Sequence, residues 1–112
     1  SFCYIKSTEG TTIRNRYFAT DYTQARRHGL HTGAYHFFST RTSGALQARF
    51  FIKNTRFRSG DLSPVLDVEP TAAQIKRMGG VDAMFRNIRQ WLKAVQGVST
   101  PLPTSRRTTM CG

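Results

Sequence analysis

Two periods of hydrophobicity alternate along this chain, and that alternation limits its fold more than any other feature. Phe2–Lys6, Thr32–Phe38 and Ser63–Glu69 are short runs rich in aromatic and β-branched residues and read as strands. Pro64 stands where a strand tolerates proline, at its beginning, and Pro70 ends the run. Between the strands the period lengthens. Tyr17–His28 carries Phe18, Tyr22 and Ala25, then basic residues and Gly29, which suits a helix with cations at its C-terminus. Ser43–Arg56 places Ala45, Ala48, Phe51 and Ile52 on one face, with Ser43 as N-cap. Thr71–Met78 reads as a short helix before Gly79 and Gly80. The clearest helical period runs from Val81 to Val95, through Met84, Phe85, Ile88, Trp91 and Leu92. Ser7–Asn15, polar and containing Gly10, reads as a loop.

The order strand, helix, strand, helix, strand, helix defines an α/β chain with parallel strands and helical crossovers. About three such units cannot close a barrel and leave open sheet edges. The 112 residues suffice for one modest core. We divide the chain at residue 97. Residues 98–112 contain Pro101 and Pro103, which cannot donate to a ladder, so this tail reads as irregular rather than as the next strand. A truncation or a departure from the natural reading frame would explain it.

Charge narrows the partners. Seventeen Lys and Arg against six acids give a net charge of +11, which favours nucleic acid, anionic lipid or an acidic cell wall. No apolar run approaches the ~20 residues of a membrane helix, and the N-terminus does not read as a signal peptide. Cys3 and Cys111 stand at opposite ends without a CxxC or zinc-like spacing, and read as two unpaired thiols.

Chemistry concentrates on the third strand. Asp67 and Glu69 are two apart, so alternation points both to one face, among Val65, Leu66 and Val68. Crowding and desolvation would raise the pKa of at least one carboxyl, and a carboxyl kept protonated is what a general acid needs to protonate a glycosidic oxygen. On spacing alone, a strand end where both acids reach water is the simpler reading. Glu9 follows the first strand and would share the C-terminal rim with Glu69 if the strands are parallel. Tyr35, His36, Phe37 and Phe38 close the second strand. Aromatic faces on a rim can stack against sugar rings, and Tyr35 can donate a hydrogen bond. Phe37 and Phe38 alone would suit a core. His36 should face away from the rim.

Three stretches, YIKSTEG at 4–10, ARRHGLHTGAYHFF at 25–38 and SPVLDVEP at 63–70, make the chain resemble family 25 lysozymes, also called muramidases. The resemblance covers residues 2–95. It implies an incomplete (β/α) barrel, a fragment of a modified TIM-type barrel, with residues 1–97 forming a partial glycosidase catalytic domain. It implies cleavage of the β-1,4 bond between N-acetylmuramic acid and N-acetylglucosamine in peptidoglycan, outside the cell or at the wall, by a monomer without metal or organic cofactor. Under the resemblance Glu69 matches the general acid/base, and Asp67 matches its partner, which orients or stabilises the substrate acetamido group in a substrate-assisted retaining reaction. Glu9 and Tyr35 match cleft positions, and Phe37 joins them as a substrate-binding candidate. Family members also carry an earlier strand with another essential aspartate, and later strands with a further acid and cleft aromatics. These are not in this chain, which alone is expected to be unstable and inactive. Ser7 and Ser63 stand where the family usually has alanine and proline.

Two other functions compete. Cations interleaved with aromatics, as in Arg49-Phe50-Phe51 and Arg56-Phe57-Arg58, suit a basic nucleic-acid-binding module, although no recognised motif appears. A non-catalytic wall-binding relative is the other. No specific nucleic-acid partner is expected under the lysozyme reading.

Overall fold

A computed structural model of the chain describes residues 1–57 and 60–98, with the backbone of 109–111. Its elements run β1 (Phe2–Glu9), β2 (Ile13–Arg14), α1 (Phe18–Arg27), β3 (His31–Phe37), α2 (Gly44–Asn54), β4 (Val65–Asp67), α3 (Ala72–Met78), α4 (Val81–Gln96) and β5 (Thr109–Cys111). The sheet has the order β2-β1-β3-β4, with β5 on β1. β1 runs parallel to β3 and β3 parallel to β4, so the two expected crossovers, through α1 and α2, are present.

Several features depart from the sequence reading. β1 continues three residues past Lys6 and turns back into β2, an antiparallel partner pairing Thr8 with Arg14 and Glu9 with Ile13. The segment expected as a loop therefore contains a short hairpin. β4 is only Val65–Asp67, so Glu69 lies beyond the strand, at the start of the connection to α3. The tail is not irregular throughout: Thr109–Cys111 pair parallel to Cys3–Ile5, while the rest of the expectation for 98–112 falls, apart from Val98, outside the described residues. Cys3 is disulfide-bonded, not a free thiol.

Strand alternation separates two faces. Cys3, Ile5 and Ala34 face the helices and join Tyr22, Ala48, Phe51, Trp91 and Val95 in one core. Trp91 and Phe51 are fully buried with ring centroids 5.2 Å apart; burying side chains of this size contributes about 1.5–3 kcal/mol each. The helical faces are rotated from those expected. In α2, Gly44 and Gln47 are buried with Ala48 and Phe51, whereas Ala45 is exposed. In α4 only Ala83, Trp91 and Val95 are buried, and Val81, Phe85 and Leu92 stand about half exposed. The opposite sheet face carries Tyr4, Lys6, Tyr35, Phe37 and Asp67, which are register partners or alternate neighbours. Tyr4 lies across Gly33, its partner on β3, where any Cβ would collide with the ring.

The helix ends follow local chemistry. Ser43 accepts a hydrogen bond from the Leu46 amide (3.1 Å), as expected of an N-cap. Thr71 and Gln74 form a capping box at α3, and Gly79, at φ +117°, closes that helix in the left-handed region. Among the described residues no helix is long and apolar enough to cross a membrane.

Candidate active site

The C-terminal ends of β1, β3 and β4 meet at a cleft of about 490 Å³. Glu9 and Phe37 line it from the strand ends, Glu69 from the segment after β4, Gln74 from α3, and Ser39–Thr42 from the loop after β3.

A bulge brings Glu9 there. The β1–β3 register runs Lys6 to Tyr35, then Thr8 to His36 and Glu9 to Phe37, so Ser7 is the extra residue. Ser7 and Thr8 are both buried. Ser7 Oγ bonds Thr55 Oγ1 (2.6 Å), and Thr8 Oγ1 bonds His36 Nδ1 (2.6 Å). The shift returns Glu9 to the face of Lys6, whose Nζ donates to Glu9 Oε1 at 2.6 Å and lies 5.1 Å above the Phe37 ring.

Register also aligns Phe37 with Asp67, and the Phe38 amide donates to the Asp67 carbonyl (2.9 Å). Asp67, the last residue of β4, stands two residues before Glu69 and acts on its carboxyl. The Glu69 carboxyl is therefore raised above the ordinary carboxylate range: its protonated form gains a hydrogen bond to Asp67, the Asp67 charge opposes its ionisation, and desolvation adds least. Crowding, rather than burial, is the cause, for Glu69 is exposed.

Of the five residues singled out from the sequence, Glu9, Phe37 and Glu69 line the cleft. Asp67 ends β4 two residues before Glu69 and does not line the cleft. Tyr35 lies one alternate position deeper on the same sheet face, between Lys6 and Val65, and does not line the cleft.

A buried polar chain supports the cleft from behind. His36, fully buried, faces the helices as expected, near Trp91 and Phe51. Gln47 Nε2 donates to the carbonyls of Ser39 (2.7 Å) and Thr42 (3.0 Å), which fixes its amide orientation. Gln47 Oε1 then accepts from the Ser39 amide (2.9 Å) and from His36 Nε2 (2.9 Å). His36 therefore carries its proton on Nε2, and Thr8 donates to Nδ1. Burial lowers the His36 pKa, in keeping with a neutral ring. Sequence reading missed Gln47 and Lys6. A glutamine on the apolar side of α2 was the available signal for the first. The second required the bulge, which no local pattern announces. Among the described residues no three His, Cys, Asp or Glu side chains gather as a metal site would need.

An α/β sheet with Glu9 and Glu69 at one cleft carries the carboxyl groups that glycoside hydrolysis uses. The family model of glycosyl hydrolases family 25 matches residues 1–104, and the chain belongs to that family. It is 38% identical over 97 residues to the YegX protein of Escherichia coli K12, covering 85% of this chain and 33% of the relative. It is 44% identical over 73 residues to Lysozyme M1 of Streptomyces globisporus, covering 62% of this chain and 25% of that protein. The muramidase from Trichobolus zukalii superposes with a TM-score of 0.77 at 35% identity, over 90% of this chain and 52% of that one. The chain thus spans about a third of the length of YegX and about half of the solved muramidase.

Proposed function

We propose that the protein is a peptidoglycan hydrolase that cleaves the β-1,4 bond between N-acetylmuramic acid and N-acetylglucosamine. The observation that carries this is that Glu69 lines the cleft with Glu9 and Phe37, two residues after Asp67, which raises the Glu69 carboxyl above its ordinary range. Membership of the family and the likeness to the Trichobolus zukalii muramidase support it.

Glu69 donates its proton to the glycosidic oxygen as the bond to the anomeric carbon breaks. Asp67 beside it orients the neighbouring acetamido group, whose oxygen attacks the anomeric carbon and forms a cyclic intermediate. Glu69, now a carboxylate, takes a proton from the water that opens this intermediate, so configuration is retained. Phe37 offers a ring face to the sugar and Glu9 accepts hydrogen bonds from its hydroxyls, while Tyr35 is proposed as a substrate-binding residue although it lies one position deeper than the cleft lining. The proposal extends to architecture and place. Residues 1–97 are part of the catalytic unit, about three strand–helix units of a modified TIM-type barrel. The complete protein is monomeric and works outside the cell or at the wall on glycan strands.

The test is release of soluble muropeptides from purified peptidoglycan by the full-length protein. Glu69→Gln should lower turnover by at least about a hundredfold, the lower range for a lost general acid, with an unchanged circular dichroism spectrum. Undiminished turnover in that variant overturns the assignment. Binding without turnover by the wild type would instead mark a non-catalytic relative.

A further inference from the structure

A second pocket, of about 350 Å³, opens beside the cleft and is lined by Thr40, Arg41, Gln74 and Arg77. Thr40, Arg41 and Gln74 line both cavities, so the two are contiguous. Acids mark the cleft, whereas the pocket beyond it carries two guanidinium groups and no acid. Among the described residues neither Arg41 nor Arg77 has an ion-pair partner.

Both cations stand on fixed backbone. The Ser39 and Thr42 carbonyls that flank Arg41 are held by the Gln47 amide. Arg77 rides on α3, whose first turn is locked by the Thr71–Gln74 capping box. Two like charges around one concavity repel each other until an anion enters between them, and a guanidinium pairs with a carboxylate through two parallel N–H donors.

We propose that this pocket binds a carboxylate of the polymer whose glycosidic bond lies in the cleft, and so selects an acidic, peptide-bearing glycan over a neutral N-acetylglucosamine polymer. The proposal rests on the glycosidase reading for what occupies the cleft. Sugar rings, uncharged, fit the part bounded by Glu9 and Glu69. A stem-peptide carboxylate projecting from the same strand falls on Arg41 and Arg77.

The test separates this pocket from the general attraction of a cationic protein for an acidic wall. Full-length Glu69→Gln protein, which does not turn substrate over, is pelleted with insoluble peptidoglycan before and after methyl esterification of its carboxyl groups. Adding Arg41→Gln and Arg77→Gln should weaken binding to the native wall about tenfold, in the range of a lost charge-assisted contact, and leave binding to the esterified wall unchanged. A control pair with the same charge change, Arg86→Gln and Arg89→Gln on the exposed side of α4, should have little effect. In protein with Glu69 intact, the pocket variant should raise KM with little change in kcat, and Arg41→Lys should restore part of the loss. Equal weakening by the control pair, or equal weakening on native and esterified wall, overturns the pocket. Absence of turnover by the wild type would strike the glycosidase reading, while the pelleting comparison would still decide the pocket.

Discussion

Lys6 Nζ and Glu9 Oε1 are 2.6 Å apart although they stand three residues apart on one strand. In a regular strand such residues face opposite sides. The bulge at Ser7 removes that conflict, sends Ser7 and Thr8 together into the helix side, and delivers Glu9 to the cleft beside Phe37. A single extra residue therefore connects the core hydrogen bonds of Thr55 and His36 to the aim of a cleft carboxylate.

Lys6→Ala should cost less than about 1 kcal/mol of stability, because the pair is 28% and 33% exposed and screened by water. It should lower kcat/KM severalfold, since Glu9 loses the cation that holds its carboxylate over the strand end. Denaturant unfolding and steady-state kinetics on the same preparation check both halves. A large stability loss with intact kinetics would reverse the assigned roles.

Gly44→Ala should destabilise by about 2 kcal/mol or more. The added Cβ would collide with the Asn87 carbonyl, a backbone atom that cannot rotate away, and the Gly44 amide would lose its 2.9 Å bond to Asn87 Oδ1. Thermal unfolding measures this. A Tm equal to wild type would mean α2 and α4 can part at no cost.

Gln47→Leu should cost about 2–3 kcal/mol, because the Ser39 amide and His36 Nε2–H lose their acceptor in the interior. His36 adds a pH dependence whose sign follows from its lowered native pKa. The unfolded chain takes up a proton near 6.5 while the buried ring resists it, so its contribution is present above 6.5 and lost as pH falls below that value. Tm should therefore drop between about pH 7 and pH 5, and His36→Asn should flatten that part of the profile. A profile unchanged by the substitution would remove His36 from the account.

What could be read from the sequence was whatever depends on near neighbours. Ser43 and Thr71 announce helix starts because a cap acts within one turn. The spacing of Asp67 and Glu69 predicts that the two carboxyls act on each other, and Asp67 raises the Glu69 carboxyl although the strand ends before Glu69. What was hidden depends on distant partners. Ser7 and Thr8 look like loop residues until Thr55 and His36, far along the chain, satisfy their hydroxyls. The face buried by α4 is set by the approach of Gly44 to Asn87, so Phe85 and Leu92, strong members of the apolar period, remain half exposed. The strand at 109–111 could not be anticipated from a segment with two prolines before it.

The central claim is that Asp67 raises the Glu69 carboxyl above its ordinary range. Carbon-detected NMR titration of the Glu69 carboxyl in the full-length protein tests it most directly. The account predicts an apparent pKa above the ordinary glutamate range, returning toward that range in Asp67→Asn, with the basic limb of the kcat/KM profile moving to lower pH in step. An ordinary Glu69 pKa in the wild type, unmoved by Asp67→Asn, would contradict it.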